Sequence, residues 1–441
     1  MQIKVGMVSL GCAKNQVDAE RMLAMLRRDG FVLSPDAGVC DVVIVNTCGF
    51  IEDAKRESIE NILEFAALKE TGALKAVVVT GCLAERYQKE IAGELPEVDV
   101  ILGIGKNSDI SRAIRGALKG ERTVAFGDKA NLSLEGERIL ANAPYYAYLK
   151  VADGCGNRCS YCAIPLIRGD FRSRRMEDII AEAKELAEQG VTELNVVAQD
   201  TTRYGEDIYG ELMLPRLLEE LCALPGIHWV RILYCYPQRI TDELLEVMAR
   251  QPKIVHYMDM PVQHASGRVL AEMNRRGDAE SLTSLVEKIR RKIPDIALRT
   301  TFITGFPGET EEDFEELCLF VQKNRFDRLG CFAYSQEEDT LAAGMEPQLD
   351  GETKRRRAEI VMELQMRIAE EKGEESLGRK LEVLCEGYDG ERGLYFGRSY
   401  MDAPDIDTKV YFSAGYSPEP GNYLPVTITE AMDYDLIGEA Q

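Results

Sequence analysis

Gly154-Cys155-Gly156-Asn157-Arg158-Cys159-Ser160-Tyr161-Cys162 sets three cysteines at C-x3-C-x2-C spacing, directly after an apolar, strand-like run from Tyr146 to Val151. So short a loop can curl until three thiolates point at one centre. Three ligands are one too few for a closed tetrahedral zinc site. They suit a [4Fe–4S] cube with one iron left open to a small molecule, because soft thiolates favour iron–sulfur clusters. A zinc knuckle and a redox thiol pair are the alternative readings of the same trio.

Downstream of this loop the pattern repeats. Strand-like runs recur at Glu193–Ala198, His228–Leu233, Val255–Met260, Ala297–Ile303 and Arg328–Tyr334. Helical patterns separate them: Met176–Gln189, Leu212–Ala223, Thr241–Arg250, Gly267–Arg275, Ala279–Lys292 and Glu311–Asn324. With Tyr146–Val151 these make six βα units, which predict a partial parallel barrel whose chemistry gathers at the carboxyl ends of its strands. Polar groups stand at those ends, among them Gln199-Asp200 and Gln263-His264.

Upstream, from Met1 to about Leu118, three apolar runs alternate with helical stretches, implying a parallel sheet. A cysteine closes each run, as Gly11-Cys12, Thr47-Cys48 and Gly81-Cys82. The carboxyl ends of parallel strands share one edge, where ligands bind. Three cysteines one βα repeat apart can therefore converge, although three buried structural thiols would read the same way. Cys40 lacks that position and reads as core. Asp128 to Ala143 is polar and irregular and reads as a linker. Glu352 to Glu375 reads as one long charged helix. From Glu374 onward short alternating runs split by Gly, Pro and Asp predict a small five-stranded β-barrel with 5 basic and 14 acidic residues.

A chain of 441 residues implies two or three domains. Apolar residues at 45% and charged residues at 29% describe a globular protein. The first residues form no signal-peptide core and no run approaches membrane length, so a cytoplasmic protein without membrane partners is expected. In that compartment the twelve cysteines read as metal ligands and core thiols. A net charge of −22 is a poor footprint for gripping phosphates and suits a basic protein partner.

Tyr161 directly before the last cysteine makes the central loop resemble the radical S-adenosylmethionine (SAM) signature. With Cys12, Cys48 and Cys82, and with three segments in this order, nearly the whole chain resembles the methylthiotransferase family. The resemblance implies an α/β fold of three parts: an N-terminal parallel α/β domain over 1–118, a central partial (βα)6 radical SAM barrel over 144–373, and a small C-terminal β-barrel, the TRAM domain, over 374–441. It implies two [4Fe–4S] clusters, an auxiliary one on Cys12, Cys48 and Cys82 and a catalytic one on Cys155, Cys159 and Cys162. SAM would bind the open iron of the second, with Tyr161 near its adenine. Where related enzymes carry a Gly-Gly-Glu stretch for the SAM amino group, this chain has Ala198-Gln199-Asp200, and Gln199 is assigned that role. No catalytic side chain is singled out.

Two branches of the family compete. One modifies adenosine in tRNA; the other modifies the β-carbon of an aspartate in the small-subunit ribosomal protein S twelve. Met260-Pro261-Val262-Gln263-His264 and the stretches Phe396-Gly397-Arg398-Ser399 and Asp402–Asp407 resemble the second branch. The acidic TRAM segment agrees, since it would attract a basic ribosomal protein and repel tRNA. One SAM would supply a methyl group and another the radical, with an electron donor protein as a further partner. A non-catalytic iron–sulfur protein is the alternative from another class.

Overall fold

The computed structural model describes residues 2–441. The first sheet has six parallel strands: β1 (Lys4–Ser9), β2 (Val32–Leu33), β3 (Val42–Thr47), β4 (Ala76–Gly81), β5 (Val100–Leu102) and β6 (Thr123–Ala125). Every residue of β3 and β4 is buried, as strands covered on both faces must be. Alternate residues feed two separate cores. Val42, Ile44, Ala76 and Val78 meet Met22 and Leu26 of the first helix, Ala13–Arg28; Val43, Val45, Val77 and Val79 meet Ile62 and Phe65 of the helix Glu52–Glu70.

The strand order β2-β1-β3-β4-β5-β6 puts the topological switch between β1 and β3. At such a switch the connections leave in opposite directions and open a crevice above the strand ends. Cys12 and Cys48 follow those two strands, and Cys82 follows β4. The sheet runs past Leu118, where the sequence reading ended this segment, because β6 pairs with β5. Strands β2, β5 and β6 are too short, at 2, 3 and 3 residues, to announce themselves by periodicity. The first helix starts at Ala13, with Cys12 as its extended N-cap. The helical stretch after β4 is broken at Tyr87 into Cys82–Arg86 and Gln88–Glu94.

The central sheet consists of β7 (Tyr146–Lys150), β10 (Glu193–Val197), β11 (Trp229–Ile232), β12 (Ile254–Asp259), β13 (Ala297–Thr304) and β14 (Arg328–Ala333), all parallel and ordered as in the sequence. A two-stranded ribbon of β8 (Ala152–Asp153) and β9 (Arg172–Ser173), not expected from the sequence, brackets the cysteine loop. Ala147, Leu149, Leu194, Val196, Val230 and Ile232 pack outward against the helices. The inner face is buried yet polar: Lys150, Glu193, Asn195, Arg231, Tyr257 and Asp259.

A third unit covers that polar face. β15 (Lys380–Asp389), β16 (Leu394–Ser399), β17 (Val410–Ser413), β18 (Tyr423–Met432) and β19 (Asp435–Ala440) close into a five-stranded barrel. Its segment 398–407 enters the inner face of the central sheet. Arg398 meets Glu193 at 2.7 Å, Arg328 meets Asp402 at 2.5 Å, and Asp407 accepts from Tyr257 at 2.6 Å and faces Arg299 at 3.4 Å. The acids that the sequence presents as surface charge are therefore partly internal, neutralised by arginines of the central strands.

The stretch expected as a linker, 128–143, is irregular but tightly held. Arg138 is buried and bonds Glu20 of the first helix and Glu182 of the helix Met176–Glu188. Glu182 also pairs with Arg21 at 3.2 Å and Arg174 at 2.7 Å. Burial alone would raise its pKa, but the three guanidiniums bring it from 4.5 down to about 2. A depressed carboxyl contributes stability that is complete above its unfolded pKa and lost as pH falls through the folded one. Replacing Glu182 by Gln should therefore cost about 3 kcal/mol at neutral pH. In denaturant titrations the gap to wild type should narrow steadily below pH 4; a gap independent of pH would contradict this role.

Candidate functional site

Each cysteine trio is assembled within its own domain, one on a single loop and the other at three strand ends of one sheet. Cys155, Cys159 and Cys162 lie in the loop between β8 and the short helix Ile164–Arg168, a position dictated by the end of the first central strand. The loop is clamped from several sides. The Cys155 N–H donates to Gly169 O at 3.1 Å, the Ser160 N–H to Met273 O at 3.1 Å, and Ser160 Oγ to Glu272 O at 2.7 Å. Asn157 donates to Asp200 at 2.8 Å, and Arg239 donates to both at 2.9 Å. Glycine is required at 154, where φ is 75° and a Cβ would sit 2.1 Å from Asp170 O.

The other trio gathers at the switch point. Gly81, at φ 97°, lets β4 turn directly into the helix bearing Cys82, and a Cβ there would strike Thr47 O at 2.5 Å. Cys48 lies against Gly11, whose Cβ would be 3.0 Å from the Cys48 sulfur. The thiols of each trio lie within electrostatic reach of one another, and it shows in their acidities. Burial, then the neighbouring thiolates, push Cys48 and Cys162 to about 12, and burial above all pushes Cys155 to about 11. Cys12 shifts the other way: Lys14, then Arg168, bring its thiol below the ordinary value. Thiols that repel one another when ionised are suited to a cationic centre that replaces their protons. Among the described residues no three His, Cys, Asp or Glu side chains are gathered as the ligands of a single ion would be. Soft thiolates in sets of three are the donor type that iron–sulfur clusters take.

Between the trios runs a buried charge network that the sequence did not reveal. Lys150 of β7 bonds Asp18 of the first helix and faces Asp153 at 3.4 Å. Arg168 faces Asp18 at 2.7 Å and Asp153 at 3.1 Å, bonds Asn15 at 3.2 Å, and stands 3.5 Å from the Cys82 sulfur. Burial would raise the Asp153 pKa, but Lys150 and Arg168 hold it well below the usual carboxylate range. Arg168 is six residues beyond Cys162, so one side chain joins the cysteine loop to the opposite trio. Cys82, Ala163 and Ile167 form a small apolar cluster beside it.

Of the other expected residues, Gln199 donates from Nε2 to Asp153 at 3.0 Å, while its buried Oε1 has no donor. That free acceptor, one residue from the cysteine loop's anchor Asp200, suits an ammonium group. Tyr161 packs against the central core, and burial and the neighbouring Cys159 push its phenol well up. His264 is fully buried: its Nδ1 accepts the Ser266 N–H at 3.0 Å and its Nε2 lies 3.3 Å from Glu309, which Arg357 holds at 2.6 Å. It locks the strand-end loop to the long helix Gly351–Glu374. Arg275, unnoticed in the sequence, reaches the Cys159 sulfur at 3.7 Å and covers the Tyr236 ring at 4.3 Å. It sits just past a helix end, where an arginine ordinarily reads as surface charge.

Comparison with known proteins agrees with this layout. Residues 4–103 match the uncharacterized protein family UPF0004, 149–321 the Radical SAM superfamily and 377–440 the TRAM domain. The fold is similar to that of a radical S-adenosylmethionine methyltransferase, TsrM, from Kitasatospora setae, with a TM-score of 0.56 at 16% identity over 75% of each chain. Along the whole chain it is 51% identical to ribosomal protein uS12 methylthiotransferase RimO of Lachnoclostridium phytofermentans, covering 100% of both. It is 52% identical to the protein of that name from Pelotomaculum thermopropionicum, over 100% of this chain and 99% of the relative. In Clostridioides difficile the corresponding figures are 47%, 99% and 98%. With half of its residues shared end to end with such relatives, and three domains in the same order, the chain belongs to the radical SAM methylthiotransferase family, RimO type.

Proposed function

We propose that this chain methylthiolates the β-carbon of an aspartate in ribosomal protein uS12, using a [4Fe–4S] cluster on each cysteine trio. The observation that carries the reading is the seam itself. The two sets of three cysteines lie in different domains, and Arg168 links them, 3.5 Å from the Cys82 sulfur and on the helix that leaves the Cys155–Cys162 loop. The full-length relatives named for uS12 supply the substrate.

When bound, the clusters and SAM supply one-electron chemistry at one trio and a sulfur carrier at the other. The chain's own residues do the rest. Asp153 holds the Gln199 amide so that Oε1 is free to accept from the amino group of SAM. Asn157, Asp200 and Arg239 fix the loop that presents Cys155 and Cys159. Arg275 brings positive charge to the Cys159 sulfur, offsetting thiolate charge. Arg168 does the same at Cys82 while its carboxylate partners keep it in place. The substrate's unactivated β-carbon is beyond any side-chain base, so no residue need serve as one. Glu391, Glu419, Glu430, Asp433 and Glu439 keep the exposed surface of the C-terminal barrel acidic, which favours a basic ribosomal protein over tRNA.

Anaerobic reconstitution with iron counting tests the ligand assignment. Wild type should hold two clusters, and Cys155→Ala and Cys48→Ala should each lose about four irons, one cluster's worth. A single metal per chain, or zinc, would contradict it. Mass spectrometry of ribosomal proteins and of tRNA from cells lacking the gene tests the substrate. Loss of the methylthio mark from uS12 is expected; loss from tRNA alone would assign the chain to the other branch.

A further inference from the structure

Beside the Cys12 trio, the seam buries the cations Lys14, Lys150 and Arg168 together with the carboxylates Asp18 and Asp153. Lys150 and Arg168 share both carboxylates between them. Lys14, 6% exposed, pairs with no carboxylate among the described residues; its ammonium stands 3.2 Å over the centre of the Tyr234 ring. Taking an ammonium out of water without a counter-ion is costly, and a cation–π contact offsets part of that cost. The local backbone adds positive charge of its own. Lys14 lies in the first turn of the helix Ala13–Arg28, which has no acidic residue in that turn, so the positive end of the helix dipole reinforces the same field.

Tyr234 is itself held in an unusual state. It follows β11 with φ at 61°, a left-handed conformation costly for an aromatic residue. Its N–H donates to Asp259 at 3.0 Å and its carbonyl accepts the Thr201 N–H at 3.0 Å, so the ring is fixed at the strand ends of the central sheet. The two side chains therefore meet where the central strand ends face the Cys12 trio, and they leave one ammonium whose neighbours include the Cys12 thiol but no carboxylate.

We propose that Lys14 binds the side-chain carboxylate of the target aspartate, with Tyr234 holding the ammonium ready until substrate arrives. This rests on the substrate reading above. A carboxylate is the anion the substrate residue itself brings, and anchoring it beside Cys12 fixes the adjacent β-carbon near the trio assigned to sulfur delivery. Asparagine, of the same shape but neutral, would forgo the ion pair.

Anaerobic calorimetric titration of cluster-loaded protein with two peptides tests this, one spanning the target aspartate of uS12 and one with asparagine in its place. Wild type should favour the aspartate peptide about tenfold or more, as a charge-assisted contact allows. Lys14→Met should bind both peptides equally, and Lys14→Arg should retain a preference for aspartate. Iron content, read on every variant, shows which are loaded; should Lys14→Met fail to load, Lys14→Gln carries the same expectation. If the neutral variant keeps the full preference, or if wild type binds both peptides alike, Lys14 only balances thiolate charge and the inference is overturned. If wild type binds neither peptide and methylthiolates tRNA, the substrate reading fails first and takes the anchor with it.

Discussion

One buried network decides how the two halves of this molecule meet. Asp18 comes from the N-terminal helix, Lys150 and Asp153 from the start of the central sheet, and Arg168 from the helix after the cysteine loop. None of the four is more than 3% exposed. Such a set is weak evidence for stability, because desolvation consumes most of the Coulombic gain. What it supplies is register. Sliding one domain against the other would leave a buried charge alone, which is far costlier than the intact network is favourable. Register matters here because two groups of thiols, borne by different domains, must open onto a common space. Arg86 with Glu337, and Arg138 with Glu20 and Glu182, repeat the device elsewhere along the seam.

The C-terminal barrel obeys a related rule. An open sheet with a polar inner face has to be covered, and its buried charges need partners. Segment 398–407 supplies both, with Arg398 for Glu193, and Asp402 and Asp407 for Arg328 and Arg299. Tyr146 and Tyr148 of the first central strand close the contact by donating to Asp405, at 3.3 and 2.8 Å. The domain is thus part of the wall of the central unit, and its acidity toward solvent comes from other carboxylates on the barrel's outer strands and loops.

Much of this architecture is legible in the chain. Val42–Thr47 and Ala76–Gly81 are apolar enough to be strands covered on both sides, and helices such as Ala279–Lys292 and Glu311–Asn324 declare their N-terminal ends through the capping residues Asp278 and Thr310. The cysteines are legible because thiol spacing and strand ends are local patterns. Arg168, Lys150 and Asp18 are not, since their pairing spans 132 and 150 residues of sequence and no periodicity foretells it. Arg275 and the acids near Asp402 are misleading for a related reason: charge reads as surface until a partner buries it. Tyr234 gives no local sign that it would hold a left-handed backbone beneath a lysine.

The central claim is that the two trios carry clusters facing one another across one cavity. Electron paramagnetic resonance of the reduced protein tests it most directly, comparing wild type with forms that lack one trio's cysteine. Two centres on opposite walls of the seam must couple magnetically, so the wild-type spectrum should differ from the sum of the two single-cluster spectra, with splitting or enhanced relaxation. A wild-type spectrum equal to that sum would place the centres far apart and leave sulfur delivery across the seam without a route.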